Sequence, residues 1–537
     1  MRGPRVGGHA VGSSAMTTGD RLLDLYDRRR RAQFPGSERA IARRELRGKL
    51  SARQRVELLT DPGSFFLLDE FSHGSLPRVD GGIGHGPPGD GVVAGVGRVH
   101  DRPVCVYAQD STVLGGSLGH AQGHTILKVM EMAERLGCPL VAITDSAGAR
   151  IQEGVDALAI YTQMGRAMIR NSGVIPQITL SLGSCAGGAA YGSGLSDFVV
   201  VVDGLSHMFV TGPEVVAHVL GHTPTLEDLG GAKMHAATTG IAHYLAADEA
   251  DAVDWVRTLL GYLPASNREP APEYARPGSP RFTDADLALD TLVPDSPTSS
   301  YDIMLAVRAL LDEGEFLEVG ELFGPALAVG FGRIDGSTVG LVSSRPRHLG
   351  GALDGDASDK AARFIRFCDA MHVAVVTLVD VPGFMPGVEE ERAGILTRGA
   401  KLLYAYGEAT VPLVTVVLRK AYGGGYGVLG SKHIGADINL AWPTAEIAVM
   451  GAEAAVHLLH GTEIAAAPDP LAAARLRSDL AATYRERLGT PYAAAARGYL
   501  DRVIAPHETR LAVSAALSML RTKTVDRPTR KHGNIPL

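Results

Sequence analysis

GGSLGHAQGHTILKVMEMAERLGCPLVAITD, residues 115–145, and GGALDGDASDKAARFIRFCDAMHVAVVTLVD, residues 350–380, are two versions of one pattern. Each opens on a Gly-Gly pair and runs through a helical stretch. Each closes on an apolar strand ending in aspartate: Leu140 to Thr144 then Asp145, and Val373 to Val379 then Asp380. Gly115 to Gly350 and Asp145 to Asp380 are both steps of 235 residues. Working outward, Pro176 before the strand Ile178 to Leu182 matches Pro412 before Val414 to Leu418, a step of 236. Gly187-Gly188 is matched with Gly424-Gly425 at 237, and Gly212 and Glu214 with Gly451 and Glu453 at 239. Landmarks that keep their order while the offset drifts slowly mark a duplicated unit. Alternation of strand and helix within each copy predicts the α/β class.

In both copies a strand runs into a glycine-rich turn and then an apolar stretch of helical character: Cys185-Ala-Gly-Gly-Ala-Ala-Tyr191 and Ala421-Tyr-Gly-Gly-Gly-Tyr426. Adjacent glycines let the backbone turn its N–H groups outward and let a ligand approach without meeting a Cβ. At a helix start those N–H groups are unpaired and the dipole favours negative charge, so such a turn can hold an oxyanion. A single Gly-Gly pair more simply permits close packing of helix on strand. Its recurrence at matching positions favours the oxyanion reading.

At 537 residues the chain exceeds one hydrophobic core. Seven prolines between residues 261 and 300, at 264, 270, 272, 277, 280, 294 and 297, interrupt regular structure and mark an interdomain connection. The expected division is an extension over 1–19, a first domain over 20–264, a connection over 265–300 and a second domain over 301–537. Residues 20–60 read as entry helices, with Leu22, Leu23, Leu25 and Tyr26 on one face and Ser51 capping the second. Gly91 to Val99 and Pro103 to Gln109 read as antiparallel strands. A net charge of −7 provides no broad basic field for nucleic acid. The longest apolar runs are strand-sized, far below the roughly 20 residues that span a bilayer, and no secretory apolar core precedes Leu22. The expected location is the cytoplasm. Cys105, Cys138, Cys185 and Cys368 form no C-x-x-C pair and read as buried thiols.

Other signatures are weaker. Gly425-x-Gly427-x-x-Gly430 follows a strand, with Glu446 near the position of a ribose-binding acid, but this dinucleotide pattern occurs in one copy only and late in the chain. Asp145-Ser146 with His120 or His124 suggests a hydrolase triad, although a serine after a strand-end aspartate more often caps a helix. His207, His218 and His222 have separations of 11 and 4 that fit no common ligand pattern, and no metal is expected.

From about residue 20 to 537 the chain resembles the carboxyltransferase β subunit of biotin-dependent acyl-CoA carboxylases, the propionyl-CoA carboxylase β-chain family. The segments that carry the resemblance are GGSLGHAQGHTILKVMEMAERLGCPLVAITDSAGARIQEGV, GSCAGGAAYGSGLSDF, SHMFVTGPEVV, DVPGFMPGVEEERAGILTRGAKLLYAYGEATVPLVTVVLRKAYGGGYG, IGADINLAWP and KHGNIPL. The resemblance implies two tandem crotonase-like domains of β-β-α spiral type, assembled into a homohexamer with each active site between the N-half of one subunit and the C-half of its neighbour. It implies coenzyme A on the N-half and carboxybiotin, borne by a separate carrier, on the C-half. Gly187, Gly188, Gly424 and Gly425 match the family's oxyanion pairs, the first pair for the thioester and the second for the biotin ureido oxygen. Ser146, Ala147, Gly148, Ala186, Tyr426 and Gly427 are the expected substrate-binding residues. No A-M-K-M biotin acceptor and no ATP-binding carboxylase domain is present, so biotin carboxylase and the biotin carrier are expected as partner chains. The same resemblance leaves open a decarboxylase or transcarboxylase. Gly425 stands where members often have alanine, Gly427 where they frequently have aspartate, and Ala147 where glycine is frequent. The loss of a side chain at Gly427 predicts a roomier acyl pocket.

Overall fold

The structure, a computed structural model, describes residues 16–77, 83–275 and 281–536. Two eight-stranded sheets share one plan. In the first, Phe66–Leu68, Val92–Val99 and Arg102–Gln109 pair antiparallel. Leu140–Ser146, Gln177–Ala186, Phe198–Val202 and Tyr244–Ala246 continue it in parallel, with His207–Phe209 also beside Gln177–Ala186. In the second, Leu317–Val319, Leu327–Ile334 and Ser337–Ser344 are followed by Ala374–Val381, Leu413–Tyr422, Ile438–Ala441 and Arg502–Val503, with Glu446–Ala448 beside Leu413–Tyr422. The central strands are apolar on both faces, as in Phe198–Val202, because helices cover the sheet. His120–Leu136 and Val155–Asn171 cross over in the first half, and Gly355–Ala370 and Ile395–Glu408 in the second.

The duplication extends to irregularities. The register slips between Thr144 and Ser146 in one half and between Val379 and Val381 in the other. Isolated bridges join Leu118 to Ala149 and Leu353 to Phe384. Leu114 and Leu349 both adopt φ 49°, an unusual conformation repeated 235 residues apart. Across the halves, Phe198 meets Phe367 edge-to-face at 4.7 Å and Phe331 at 6.0 Å, so both sheets share one core cluster.

Two expectations need correction. Thr18–Gln33 is a helix, but none of its residues is buried, and Leu22, Leu23 and Tyr26 are exposed. Among the described residues, its apolar side chains find no core. Ser51 does cap Ala52–Leu59, whose Val56 and Leu59 are buried. The proline-rich connection is not devoid of regular structure: Thr283 caps a short helix, Asp284–Ala288, whose Asp286 is gripped by Arg510 at 2.7 Å. A favourable capping box outweighs the neighbouring breakers there. Residues 1–15 of the expected extension and Pro277 and Pro280 lie outside the described residues.

Candidate active site

The buried strand Gln177–Ala186 passes into the helix Gly188–Leu195 through Gly187, at φ +56° and ψ −121°. A residue with a Cβ rarely adopts that conformation, so glycine is required. The Gly187 N–H donates to the Phe209 carbonyl at 3.0 Å, which fixes the turn against the neighbouring strand. No side chain caps the helix, and its leading N–H groups, starting with Gly188, are the ones a helix leaves unsatisfied. A Cβ on Gly188 would lie 2.6 Å from the Tyr161 ring, so glycine is needed here because the ring packs directly on the backbone.

Alongside lies the turn Ser146–Gly148 at the end of Leu140–Ser146. Ser146 is buried; its hydroxyl donates to the Gly116 carbonyl at 2.7 Å and accepts from the Gly148 N–H at 3.2 Å. Ala147 is exposed and its N–H donates to the Gly115 carbonyl at 3.0 Å. Gly148, at φ +95°, approaches the Ala186 carbonyl so closely that a Cβ would stand 3.0 Å from it. The two turns therefore touch. Beneath them the buried Asp145 carboxylate accepts from Lys49 Nζ at 2.6 Å, Ser111 Oγ at 2.9 Å and Arg55 at 3.3 Å. Arg55, almost fully buried, also donates to Glu249 at 2.6 Å and to the Leu182 carbonyl at 2.8 Å. A buried charge persists only when paired in this way.

The second half repeats the arrangement with one change of register. Gln177–Ala186 and Leu413–Tyr422 coincide at a step of 236, and the left-handed glycine after the second strand is Gly423, φ +55°. The equivalents of Gly187 and Gly188 are therefore Gly423 and Gly424, one residue earlier than the sequence alignment places them. Three consecutive glycines made the step ambiguous; the strand ends decide it. Gly424 is exposed, and a Cβ there would make ordinary contact with the Phe384 ring at 3.6 Å. Gly425 is buried, 2.9 Å from Gly383 by the same measure. Asp380 occupies the place of Asp145, accepting from Arg419 Nε and from the Lys420 N–H, both at 3.0 Å. Tyr426 is turned into the core against His433, and burial pushes its phenol up to about 12. Gly427 is half-buried, and a Cβ there would meet nothing within 4 Å.

The competing motifs lose their geometry. The hydrogen-bond partners of Ser146 are Gly116, Gly148 and Tyr161, while His120 and His124 meet each other edge-to-face at 4.4 Å. His207 pairs with Glu227 at 2.8 Å. The helix after Gly423 ends at Val428, before Gly430, so the three glycines of the dinucleotide pattern open no helix long enough to serve a pyrophosphate, and Glu446 is bonded to Tyr422.

Comparison with known proteins places this geometry. The carboxyl transferase domain model matches residues 43–535. The chain belongs to the carboxyl transferase family. It is 53% identical to the propionyl-CoA carboxylase beta chain of Saccharopolyspora erythraea, covering 97% of this chain and 96% of that one. It is 50% identical to the biotin-dependent acetyl-/propionyl-coenzyme A carboxylase beta5 subunit of Mycobacterium tuberculosis, with the same coverages. Among solved structures, the transcarboxylase 12S hexamer core with methylmalonyl-coenzyme A bound superposes with a TM-score of 0.92 at 42% identity, over 98% of this chain and all of that one. The duplicated crotonase-like α/β architecture is thus that of a carboxyl transferase.

For a member of this family, the sequence left several site residues unread. Gly423 is hidden in a run of identical residues. Tyr161 and Phe384 lie outside the repeat landmarks, and they reach the turns from different elements in the two halves. Lys49 and Arg55 reach Asp145 across 96 and 90 residues, a pairing with no local signature.

Proposed function

We propose that the chain is the carboxyltransferase subunit of an acyl-CoA carboxylase, moving a carboxyl group from carboxybiotin on a carrier protein to the α-carbon of propionyl-CoA or a longer acyl-CoA. The observation that carries this reading is the repeated uncapped turn, Gly187-Gly188 and Gly423-Gly424, in a chain of this family. The carried carboxybiotin brings the carboxyl group and a ureido nitrogen able to take the α-proton. The chain's part is to orient two reactants and to hold two oxygens as they gain negative charge, a task for backbone N–H groups. Gly188 donates to the thioester oxygen, since the Gly187 N–H is already bound to Phe209; Gly424 and Gly425 serve the ureido oxygen. Ala147, Gly148 and Ala186 form the adjoining wall of the thioester site, with Ser146 holding it in place. On the facing half, Tyr426 buttresses the second turn and Gly427 leaves room beside the first carbons of the acyl group.

Two domains, 20–264 and 301–537, joined by 265–300, fit strands that lie between residues 66 and 246 in one sheet and between 317 and 503 in the other. A homohexamer and partnership with biotin carboxylase and the biotin carrier follow from the likeness to the 12S core and to biotin-dependent subunits. Pro213–Leu220, a helix with no buried residue, and the exposed Leu458 and Leu459 offer matching apolar faces in the two halves for such assembly. Among the described residues no helix is long and apolar enough to cross a membrane, and the cytoplasm is the proposed location.

The test combines the purified chain with biotin carboxylase, biotinylated carrier, ATP and bicarbonate, and measures acyl-CoA carboxylation over a range of chain lengths. Product at some length is expected; none at any length overturns the reading. Transcarboxylation is the second reading, favoured by the 42% identity to the 12S core. It predicts ATP-independent transfer of the carboxyl group from methylmalonyl-CoA through the biotin carrier to a second acceptor.

A further inference from the structure

A cavity of about 310 Å³ opens between the helices Val155–Asn171 and Gly188–Leu195. Tyr107, Thr144 and Thr179 of the sheet form its floor, Met164 and Met168 its side, and it reaches Gly188 itself. Among the described residues, no Asp, Glu, Lys, Arg or His lines it. The larger cavity of about 880 Å³ between the two halves contrasts sharply, being lined by Asp197, Lys360, Arg363 and Arg398.

Two glycines explain why the smaller cavity exists. Gly165 and Gly192 lie inside their helices and line it from opposite sides. Neither has a positive φ. A Cβ on Gly165 would come no nearer than 4.0 Å to Leu195, and one on Gly192 no nearer than 3.9 Å to Met168. Neither crowding nor conformation requires glycine at either position, and glycine is a poor helix former. What these residues supply is empty apolar space beside the uncapped turn.

We propose that this groove receives the hydrocarbon tail of a linear acyl-CoA whose thioester oxygen sits at the Gly188 N–H. The inference rests on the carboxyltransferase reading and specifies its substrate class: acyl groups extending several carbons beyond propionyl. The volume matches that of roughly ten liquid waters, enough for such a tail. Tyr161, which packs on Gly188 and lines the groove, marks its inner end, and the exposed Leu158 and Tyr191 mark its rim. Each buried methylene is worth roughly fourfold in binding, from about 0.8 kcal/mol at 1.4 kcal/mol per tenfold.

The test measures kcat/KM for octanoyl-CoA and propionyl-CoA in the reconstituted carboxylase, for the wild type and for Gly165→Leu and Gly192→Leu. The ratio of octanoyl to propionyl should fall at least tenfold in both variants. Gly165→Ala and Gly192→Ala, which improve helix propensity and cannot be blamed for misfolding, should lower it by about two- to fivefold. A ratio within twofold of wild type in all four variants, or a wild type that carboxylates propionyl-CoA but not octanoyl-CoA, overturns the groove while leaving the activity in place. No carboxylation of any acyl-CoA overturns both.

Discussion

Gly188→Ala and Gly424→Ala should have very different consequences, although both add one methyl at equivalent turns. The new Cβ at 188 would stand 2.6 Å from the Tyr161 ring, whereas carbon atoms rest at about 3.5–4.0 Å. The helix start or the ring must yield by roughly 1 Å, and overpacking of this kind costs about 1–3 kcal/mol. A donor displaced by roughly 1 Å loses about 100-fold in rate. At 424 the Cβ meets Phe384 at 3.6 Å, ordinary contact, and the φ there suits any residue. The expected outcome for Gly188→Ala is a kcat about 100-fold below wild type, with Gly424→Ala keeping wild-type stability. The assay is incorporation of labelled bicarbonate into acyl-CoA in the reconstituted complex, beside urea denaturation. If the ring causes the loss, Gly188→Ala with Tyr161→Ala should recover at least tenfold over Gly188→Ala alone. A Gly188→Ala enzyme within threefold of wild-type kcat would refute the assignment of that N–H as the thioester donor.

Gly427→Asp meets no atom within 4 Å at its Cβ and should fold normally while narrowing the acyl range. The butyryl to propionyl ratio of kcat/KM should drop at least fivefold, and an unchanged ratio places selection elsewhere; wild-type carboxylation of acetyl- or propionyl-CoA far faster than butyryl- and longer acyl-CoA would equally refute the roomier pocket. Arg55→Ala leaves Asp145 and Glu249 without their shared buried cation and should cost about 3–5 kcal/mol in urea unfolding, far more than an exposed arginine such as Arg28. Burial pushes the Lys360 ammonium down to about 7, from an ordinary value near 10.4. Between those values the unfolded chain holds a proton that the folded chain lacks, so this group makes stability rise with pH from about 7 and weakens the fold below it. Its share approaches ~1.4 kcal/mol per pH unit. Lys360→Met should flatten the rise in urea midpoint between pH 7 and 9, and an unaltered slope would show that Lys360 does not titrate there.

What the sequence revealed and what it hid follow from range. The repeat was legible because strands and helices leave periodic apolar patterns, so Leu140–Ser146 and Ala374–Val381 appear where the pattern puts them. Ser51 was legible because capping acts over three residues. The exposed face of Thr18–Gln33 was not, since periodicity reports an apolar face without saying what covers it. The placement of Gly423 needed strand ends, because a run of glycines carries no internal mark of register. Lys49, Arg55 and Tyr161 required the chain to be folded, as their contacts with the site span long separations or cross between helices.

The proposed donors belong to the main chain, and their aim is set by what lies beneath them. Ala147, exposed and bound to Gly115 only through its N–H, can change its side chain without moving that bond. Asp145 touches neither turn's ligand face, yet Gly183 is glycine because a Cβ would collide with its carboxylate, and Gly116 because a Cβ would collide with its carbonyl oxygen. A substitution map of this chain should therefore look inverted. Tolerance would appear at rim side chains such as Ala147, and intolerance at the donor glycine Gly188 and one layer down, at an aspartate and two glycines that no reactant meets.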